Sequence, residues 1–248
     1  MQALSGRELE RYDRQIRISE LGVKGQLKLK NSRVLVVGVG GLGGVAATYL
    51  AAAGVGHLRI VDGGVLELNN LNRQIPYSEK EVGKFKAEAL AERLRLLNSD
   101  IGIEAIPKKI THDNVDELLR GVDVVVDGLD NFEARFLIND KCIKYGVPFV
   151  HGAVYSFEGR LMTVMPGKSP CLRCFLHSAP PEHDVVPVVG PVPGVIGCLE
   201  ALEAIKIITG VGELLTGKML IFDGLSLEFM MIPIHRSPDC PVCSNPSK

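Results

Sequence analysis

Hydrophobic runs and amphipathic stretches alternate along residues 33–153 of the chain. Short runs rich in valine and isoleucine predict buried strands, whereas longer stretches with apolar residues every three to four positions predict helices. The predicted strands are residues 33–37, 58–61, 103–106, 122–126 and 149–151, and the predicted helices are one that ends near residue 53, residues 81–98, residues 115–120 and one opened by Asn131. Strands that alternate with helices indicate a mostly parallel sheet of the α/β class.

The pattern differs on both sides of this region. Residues 155–165, 219–222 and 227–234 predict strands joined by short turns, and they are therefore expected to be antiparallel. They enclose a crossover rich in Pro and Gly at 179–194 and an apolar helix at 195–208. At the other end, Ser5 and Glu8 have capping-box spacing and predict a charged surface helix to residue 18, followed by a short helix at 23–30.

A Gly-x-Gly-x-x-Gly turn follows the first strand, at Gly38, Gly40 and Gly43, and the second strand ends in Asp62. Glycines let the backbone approach phosphates, the following helix offers N–H donors, and the aspartate suits a ribose hydroxyl. This Rossmann-like order predicts a nucleotide site without identifying the nucleotide. We expect a single domain over residues 1–248, with N-terminal helices at 1–32, a nucleotide-binding half at 33–153 and an antiparallel half at 154–248.

Charged residues follow the strands that end near this turn. Arg73, in the amide-rich loop after Asp62, either forms a bidentate contact with a phosphate or pairs with a surface carboxylate. Lys84 and Lys86 lie near the start of a predicted helix, where the dipole disfavours each cation by about 0.3–1 kcal/mol and a bound anion would offset that cost. Asp130, at another strand tip, either binds a ligand or caps the next helix.

Four of the six cysteines form two Cys-x-x-Cys pairs, which are Cys171 with Cys174 and Cys240 with Cys243. Two such pairs predict one tetrahedral zinc site, closed and therefore structural, that ties the C-terminal tail to the crossover region. A redox-active pair is the alternative. We expect Cys142 and Cys198 to be small buried residues in helices.

Composition narrows the class of protein. An apolar share of 46% in 248 residues is ample for a core, and a net charge of −1 argues against a dedicated nucleic-acid binder. No N-terminal segment resembles a signal peptide, and charges such as Glu200 and Glu203 interrupt the long apolar runs. We therefore expect a soluble cytoplasmic protein without membrane contact, in which paired cysteines favour metal over disulfides.

These motifs, in this order, resemble the ThiF/MoeB/HesA family, whose members are relatives of the ubiquitin-activating enzymes. The matching stretches cover nearly the whole chain. They are Arg11-Tyr12-Asp13-Arg14-Gln15-Ile16, Gly38-Val39-Gly40-Gly41-Leu42-Gly43, Asp62, Asn70-Leu71-Asn72-Arg73-Gln74, Val82-Gly83-Lys84-Phe85-Lys86-Ala87, Asp130-Asn131-Phe132-Glu133-Ala134-Arg135, Gly152-Ala153-Val154, Phe157-Glu158-Gly159, Pro170-Cys171-Leu172-Arg173-Cys174 and Pro193-Gly194-Val195-Ile196-Gly197.

The resemblance implies ATP rather than NAD, and adenylation of the C-terminal carboxylate of a ubiquitin-like sulfur-carrier protein for molybdopterin, thiamine or thiolation sulfur transfer. Asp62 would hold the ribose, Asp130 would bind Mg²⁺, and Arg14 would reach the phosphates from the second subunit of a homodimer. The implied catalytic residues are Arg14, Arg73, Lys86 and Asp130. The implied ATP site is Gly40, Gly41, Asp62, Asn70, Arg73, Gln74, Lys86, Asp130 and Asn131, of which Asn70, Arg73 and Lys86 would contact phosphates.

Many relatives carry a cysteine in the crossover loop, whereas residues 178–193 contain none. In this respect the chain resembles the MoeB-type members, which stop at adenylation. Three alternatives stay open on the sequence: adenylation of a peptide or a small biosynthetic acid at the same ATP site, an NAD(P)-dependent oxidoreductase suggested by the glycine turn alone, and a non-catalytic partner subunit.

Overall fold

A computed structural model describes residues 3–176, 178 and 186–244. Within these described ranges, eight strands form one sheet in the order β3-β2-β1-β4-β5-β6-β7-β8. In chain order the strands are β1 (Arg33–Val37), β2 (His57–Val61), β3 (Gly102–Ile106), β4 (Val124–Asp127), β5 (Phe149–Tyr155), β6 (Glu158–Val164), β7 (Lys218–Asp223) and β8 (Glu228–Pro233).

Helices cover both faces of this sheet. They are α1 (Gly6–Arg11), α2 (Asp13–Ile16), α3 (Gly22–Lys30), α4 (Gly43–Ala53), α5 (Lys86–Leu97), α6 (Val115–Leu118), α7 (Phe132–Tyr145), α8 (Leu172–Phe175) and α9 (Pro191–Thr209), with short 3-10 helices at Leu68–Asn70 and Glu79–Glu81. None of the helices in the described ranges is long and apolar enough to cross a membrane.

Strands β3, β2, β1, β4 and β5 run parallel, whereas β6, β7 and β8 add to β5 in antiparallel pairs. Val37, Asp127 and His151 form one row at the carboxyl end of the parallel strands. The antiparallel strands continue to a row through Tyr155 and Asp223, four residues farther along β5. At ~3.3 Å per residue this extension overhangs the carboxyl edge by about 13 Å.

The central strand β1 is buried on both faces. Val34 and Val36 pack with α4, α5 and α9 in one core, whereas Leu35 and Val37 pack with α6, α7 and the cysteine-containing tail in the other. This two-sided burial explains why β1 reads as a continuous apolar run instead of an alternating one.

The predicted fold class is confirmed: a Rossmann-like, mostly parallel sheet continues into antiparallel strands and carries N-terminal helices. Three helix boundaries were wrong. The apolar helix predicted at 195–208 begins earlier, at Pro191. The helix predicted at 81–98 begins at Lys86, because Gly83 has a φ of +92° and Phe85 is extended. The helix predicted to run to residue 18 breaks at Tyr12, although its predicted cap between Ser5 and Glu8 is present.

Tyr12 explains the break because its ring is buried beneath α4. A Cβ placed on Gly54 would lie 2.4 Å from Tyr12 Cζ, so the ring fills the space that this glycine leaves. The Tyr12 hydroxyl accepts a hydrogen bond from Asn98 Nδ2 at 2.8 Å. The predicted charged surface helix is therefore two short helices, and the buried Tyr12 between them anchors the pair to the core.

We predict that Tyr12→Phe lowers the free energy of unfolding by about 0.5–1.5 kcal/mol, since Asn98 loses a buried acceptor. Urea unfolding measures the change. Tyr49→Phe is the matched control because the Tyr49 side chain is exposed, and an equal loss in both variants would contradict the assigned role of the Tyr12 hydroxyl.

Candidate functional site

The turn after β1 brings three backbone segments unusually close. Gly38 has a φ of +78°, and a Cβ on it would lie 2.6 Å from the carbonyl oxygen of Gly128. A Cβ on Gly43 would lie 2.0 Å from the carbonyl oxygen of Gly38, and one on Gly128 would lie 2.2 Å from the same oxygen. The turn therefore requires glycine for packing as well as for the approach of a ligand, and Gly128 is a third requirement that the fingerprint alone did not reveal.

Asp62 and Lys86 converge beside this turn. The Asp62 carboxylate accepts hydrogen bonds from Val39 N at 2.9 Å and from Gly64 N at 2.7 Å, which fixes both of its oxygens. A Cβ on Gly64 would lie 3.0 Å from Asp62 Oδ1 and 3.6 Å from Lys86 Nζ. Lys86 is the first residue of α5, as a cation at the unfavourable end of the helix dipole.

The loop over the turn contains the next three predicted residues. Arg73 donates from Nη1 to Asn69 O and Asn72 Oδ1, both at 2.9 Å, and its other guanidinium nitrogens bond none of the described residues. Asn70 is buried, and its side chain bonds the loop itself, at Glu67 N and Asn69 Oδ1.

Gln74 joins this loop to the glycine turn. A Cβ on Gly40 would lie 3.4 Å from Gln74 Nε2, and one on Gly41 would lie 3.4 Å from the carbonyl oxygen of Arg73. Gln74 Oε1 is buried and has no hydrogen-bond partner among the described residues. Burial of an amide oxygen without a hydrogen-bond donor lowers stability. This atom can therefore accept a hydrogen bond from a donor that the described residues do not provide.

Tyr77 was not singled out from the sequence, yet it ties the parts of this site together. Its buried hydroxyl lies 2.7 Å from the carbonyl oxygen of Val39 and 3.3 Å from that of Lys86. Burial raises the pKa of this phenol far above its usual range, and the nearby Asp62 carboxylate acts in the same direction. No sequence motif marks such a tie, because it depends on three segments that meet only in the folded chain.

Asp130 and Asn131 follow β4 at the same edge of the sheet. Asn131 Oδ1 accepts from Ala134 N at 2.9 Å and caps α7, so the reading of Asp130 as the helix cap was wrong. The Asp130 carboxylate is exposed and accepts only a long bond, at 3.4 Å, from Asn131 Nδ2 among the described residues. A free, exposed carboxylate suits a hydrated Mg²⁺ ion, which usually takes one or two carboxylate ligands.

Arg14 is the predicted residue that the fold does not bring to the site of its own chain. Its neighbour Gln15 donates to the carbonyl oxygen of Ala53, at the last turn of α4. The glycine turn lies at the first residue of α4, and the 11 residues of this helix span about 16 Å at ~1.5 Å per residue. The exposed Arg14 side chain therefore lies at the opposite end of the helix from the nucleotide motif.

The four paired cysteines meet in the core on the other face of the sheet. Their Sγ atoms all lie within 4.8 Å of one another, with 3.6 Å between Cys171 and Cys240 and 3.3 Å between Cys174 and Cys243. Thiolates at ~2.3 Å around a tetrahedral zinc ion are about 3.8 Å apart, whereas disulfide sulfurs are ~2.05 Å apart. The donor set and spacing fit one tetrahedral zinc ion.

The remaining two cysteines differ from each other. Cys142 is buried in α7, as expected, and burial raises the pKa of its thiol beyond any physiological range. Cys198 is only half-buried in α9, which differs from the prediction, and burial still raises the pKa of its thiol. Neither environment is that of an activated thiolate.

Comparison with known proteins gives this arrangement a context. A model of the ThiF family matches residues 12–242. The chain is similar to the SAMP-activating enzyme E1 of Haloferax volcanii, with 44% identity over 246 residues that cover 97% of this chain and 91% of that protein. It is 41% identical over 249 residues to the sulfur carrier protein adenylyltransferase of Thermus thermophilus, covering 96% of this chain and 92% of that one.

A longer relative and a solved structure match as well. The adenylyltransferase and sulfurtransferase MOCS3 of Mus musculus is 46% identical over 247 residues, which cover 97% of this chain but only 54% of that protein. The chain thus spans about half of that relative. The E. coli MccB structure with ATP superposes with a TM-score of 0.84 at 27% identity, over 95% of this chain and 75% of MccB.

We predict that Gly43→Ala lowers the free energy of unfolding by about 1–3 kcal/mol, because the new methyl group would press on the carbonyl oxygen of Gly38. Denaturant unfolding checks this value. Gly194→Ala is the matched control, since a Cβ there meets no described atom within 4 Å, and equal stability of both variants would contradict the close approach in the turn.

Proposed function

This chain belongs to the ThiF family, and we propose on that basis that it is an ATP-dependent adenylyltransferase. Its acceptor is the C-terminal carboxylate of a ubiquitin-like sulfur-carrier protein, and its second product is pyrophosphate. The observation that carries the proposal is the convergence of Asp62 and Lys86 beside the glycine turn, in a chain that matches a sulfur carrier protein adenylyltransferase over nearly its whole length.

The residues divide the nucleotide between them. Asp62 has both oxygens oriented by backbone N–H groups and retains lone pairs for the ribose hydroxyls. Lys86 and the unbonded nitrogens of the Arg73 guanidinium supply positive charge to the phosphates. Asn70 is a further phosphate contact. The backbone of Gly40 and Gly41 and the side chains of Gln74 and Asn131 complete the ATP site.

The chemistry requires orientation and charge neutralisation from the protein. The acceptor carboxylate is already a nucleophile, and it attacks the α-phosphate while pyrophosphate leaves. Preorganised cations stabilise the charge that accumulates on the α-phosphate and on the departing group. Mg²⁺, which Asp130 would hold, supplies further neutralisation of the phosphate oxygens when it is bound. No protein nucleophile is needed, and residues 178–193 contain no cysteine that would provide one.

The overhanging antiparallel strands favour a protein acceptor over a small acid. The turn between β7 and β8 lies at the overhanging edge and exposes Leu225 and Leu227, and β8 exposes Phe229 and Met231. Exposed apolar residues on an edge strand are typical of protein-binding surfaces. A carrier docked here would place its extended C-terminal tail along the carboxyl edge towards the nucleotide site, whereas a small acid needs no such surface.

Exchange of labelled pyrophosphate into ATP tests the proposal with a panel of carriers and small acids. We expect exchange with a ubiquitin-like carrier that ends in a free carboxylate, and none when that carboxylate is blocked. Exchange with only a peptide or a small acid would support the alternative substrate class. Hydride transfer without use of ATP would support the oxidoreductase, and no exchange at all with a full panel would contradict adenylation.

We predict that Arg73→Ala and Lys86→Ala each lower the exchange rate by about 10²–10³, the usual loss for one preorganised electrostatic contact. Lys84→Ala is the matched control, because Lys84 is exposed and pairs with Glu92 at 3.2 Å. A near-normal rate in the Arg73 and Lys86 variants would exclude their assigned roles.

Arg14 completes the site only if two chains associate, so the proposed enzyme is a homodimer. Within one chain Arg14 lies at the far end of α4, and it makes no hydrogen bond or ion pair with the described residues. A partner chain that faces the phosphates with this end of its fold would deliver the guanidinium. The exposed side chains of Tyr49 on α4 and Leu202 on α9 offer apolar area for such an interface.

We predict complementation between Arg14→Ala and Asp130→Ala subunits. Each variant alone lacks one group at every site, whereas the mixed dimer contains one site with both groups. The mixture should therefore regain pyrophosphate exchange from one of the two sites in each mixed dimer. Native mass spectrometry verifies that mixed dimers have formed. Absence of rescue in verified mixed dimers would mean that Arg14 acts within its own chain or only structurally, and it would contradict the proposed role across the interface.

The four-cysteine cluster is proposed to hold a structural zinc ion through Cys171, Cys174, Cys240 and Cys243. A closed four-thiolate site leaves no position for substrate, so its contribution is to stability. The ion would fasten the tail after β8 to the segment after β6, where the cysteines are already buried among apolar side chains.

We predict about one zinc ion per chain in the purified protein and a lower melting temperature in Cys240→Ser, with exchange by the folded fraction retained. Metal analysis and calorimetry provide the two measurements. Cys142→Ser, another buried cysteine outside the cluster, should keep its zinc. Metal-free protein of unchanged stability would exclude the site.

A further inference from the structure

A buried group of ionisable side chains lies under the loop that carries Asp130. Asp127, at the end of β4, is fully buried, and so are Arg135 on α7, His151 on β5 and Glu200 on α9. None of these four side chains belongs to the proposed ATP site. They connect the carboxyl ends of two central strands to the helices on both faces of the sheet.

Two of them hold the backbone of Leu129, one at its N–H group and the other at its carbonyl oxygen. Asp127 Oδ1 accepts from Leu129 N at 2.9 Å, and Arg135 Nη2 donates to Leu129 O at 2.5 Å and to Gly152 O at 3.2 Å. Arg135 Nε also lies 3.5 Å from Asp127 Oδ2. Leu129 immediately precedes Asp130, so its fixed amide and carbonyl define where the exposed carboxylate begins.

The surroundings favour a rigid arrangement of this pair. His151 Nδ1 lies 2.6 Å from Asp127 Oδ2, within hydrogen-bond distance of the carboxylate. Burial lowers the pKa of His151 against the opposing effect of Asp127, and burial raises the pKa of Glu200 well above its usual range, with Asp127 adding to that rise. Asp127 therefore accepts from Leu129 N, lies beside His151 and faces Arg135 at the same time.

We propose that Asp127 and Arg135 are positioning residues that fix the backbone on both sides of the Leu129 Cα and so orient Asp130 towards the metal and the leaving pyrophosphate. The proposal rests on the proposed function, because it assigns Asp130 to Mg²⁺. Arginine suits this place since its rigid guanidinium plane directs Nη2 to two carbonyl oxygens and Nε to a carboxylate, and the single nitrogen of a lysine cannot occupy both positions. Outer partners of a metal ligand act in this way, through the orientation of the ligand.

Arg135→Lys tests the proposal because it keeps the charge and removes the fork. Hydrogen–deuterium exchange without nucleotide should become at least about tenfold faster at Leu129, Asp130 and Asn131, since the clamped loop opens more often. The Mg²⁺ concentration for half-maximal pyrophosphate exchange should rise about 10–100-fold, with the KM for the acceptor unchanged. Combining Arg135→Lys with Asp130→Asn should add no further shift in the Mg²⁺ requirement.

Arg173→Lys is the matched control. Arg173 forms a bidentate pair with Asp140 and stacks on Phe136, and among the described residues no hydrogen bond or ion pair joins it to residues 129–131. It should leave hydrogen exchange at residues 129–131 and the Mg²⁺ requirement unchanged. Equal effects in both Lys variants, or no effect in Arg135→Lys, would overturn the proposal.

If Arg135→Lys does not fold, Asp127→Asn takes its place, because it retains an acceptor for Leu129 N and removes the charge that faces Arg135. Failure of both to fold would assign the cluster to stability alone and overturn the positioning role. Hydrogen exchange needs no nucleotide or acceptor, so it decides the clamp even if the wild-type protein shows no pyrophosphate exchange. An absence of pyrophosphate exchange in the wild-type protein would contradict the proposed function instead.

Discussion

The close backbone packing around the carbonyl oxygen of Gly38 is the constraint on which the rest of the site depends. Gly43 and Gly128 both approach this oxygen so closely that a Cβ at either position would overlap it. The contact joins the start of α4 to the loop after β4, and it therefore fixes where the helix N–H groups point and where Asp130 emerges. A ligand bound over the turn meets a surface that was already set by three glycines.

Charge is then arranged around this rigid turn by residues from separate elements. Lys86 opens α5 and faces Asp62, Arg73 leaves part of its guanidinium free, and Asp130 is exposed at the next strand. A cation at a helix N-terminus, such as Lys86, is unfavourable on its own, and a phosphate chain bound beside it would offset that cost. The local penalty in stability is thus consistent with a site that is completed by its ligand.

The sheet changes from parallel to antiparallel at β5, and its two halves end at different levels and expose different side chains. The parallel half ends at the row through Asp127 and His151, and the residues of the proposed nucleotide site follow its strands. The antiparallel half continues past that row and exposes apolar side chains at its edge strand. The proposed nucleotide site and the proposed carrier surface would therefore lie on different parts of the same sheet.

The sequence by itself determined the order of the elements, the glycine turn, the strand-end carboxylates and the cysteine pairs, because each of these follows from local spacing and residue type. It mispredicted the start of α5 and the break at Tyr12, where Gly83 and a buried ring override local helix propensity. Only the tertiary structure decided that Arg14 lies far from its own glycine turn, that Tyr77 bridges two segments and that Asp127 and Arg135 clamp Leu129. These contacts join residues from different strands and helices, so no periodicity along the chain encodes them. Glu200, which read as a charge interrupting an apolar helix, is buried because the glycine at 152 leaves it room.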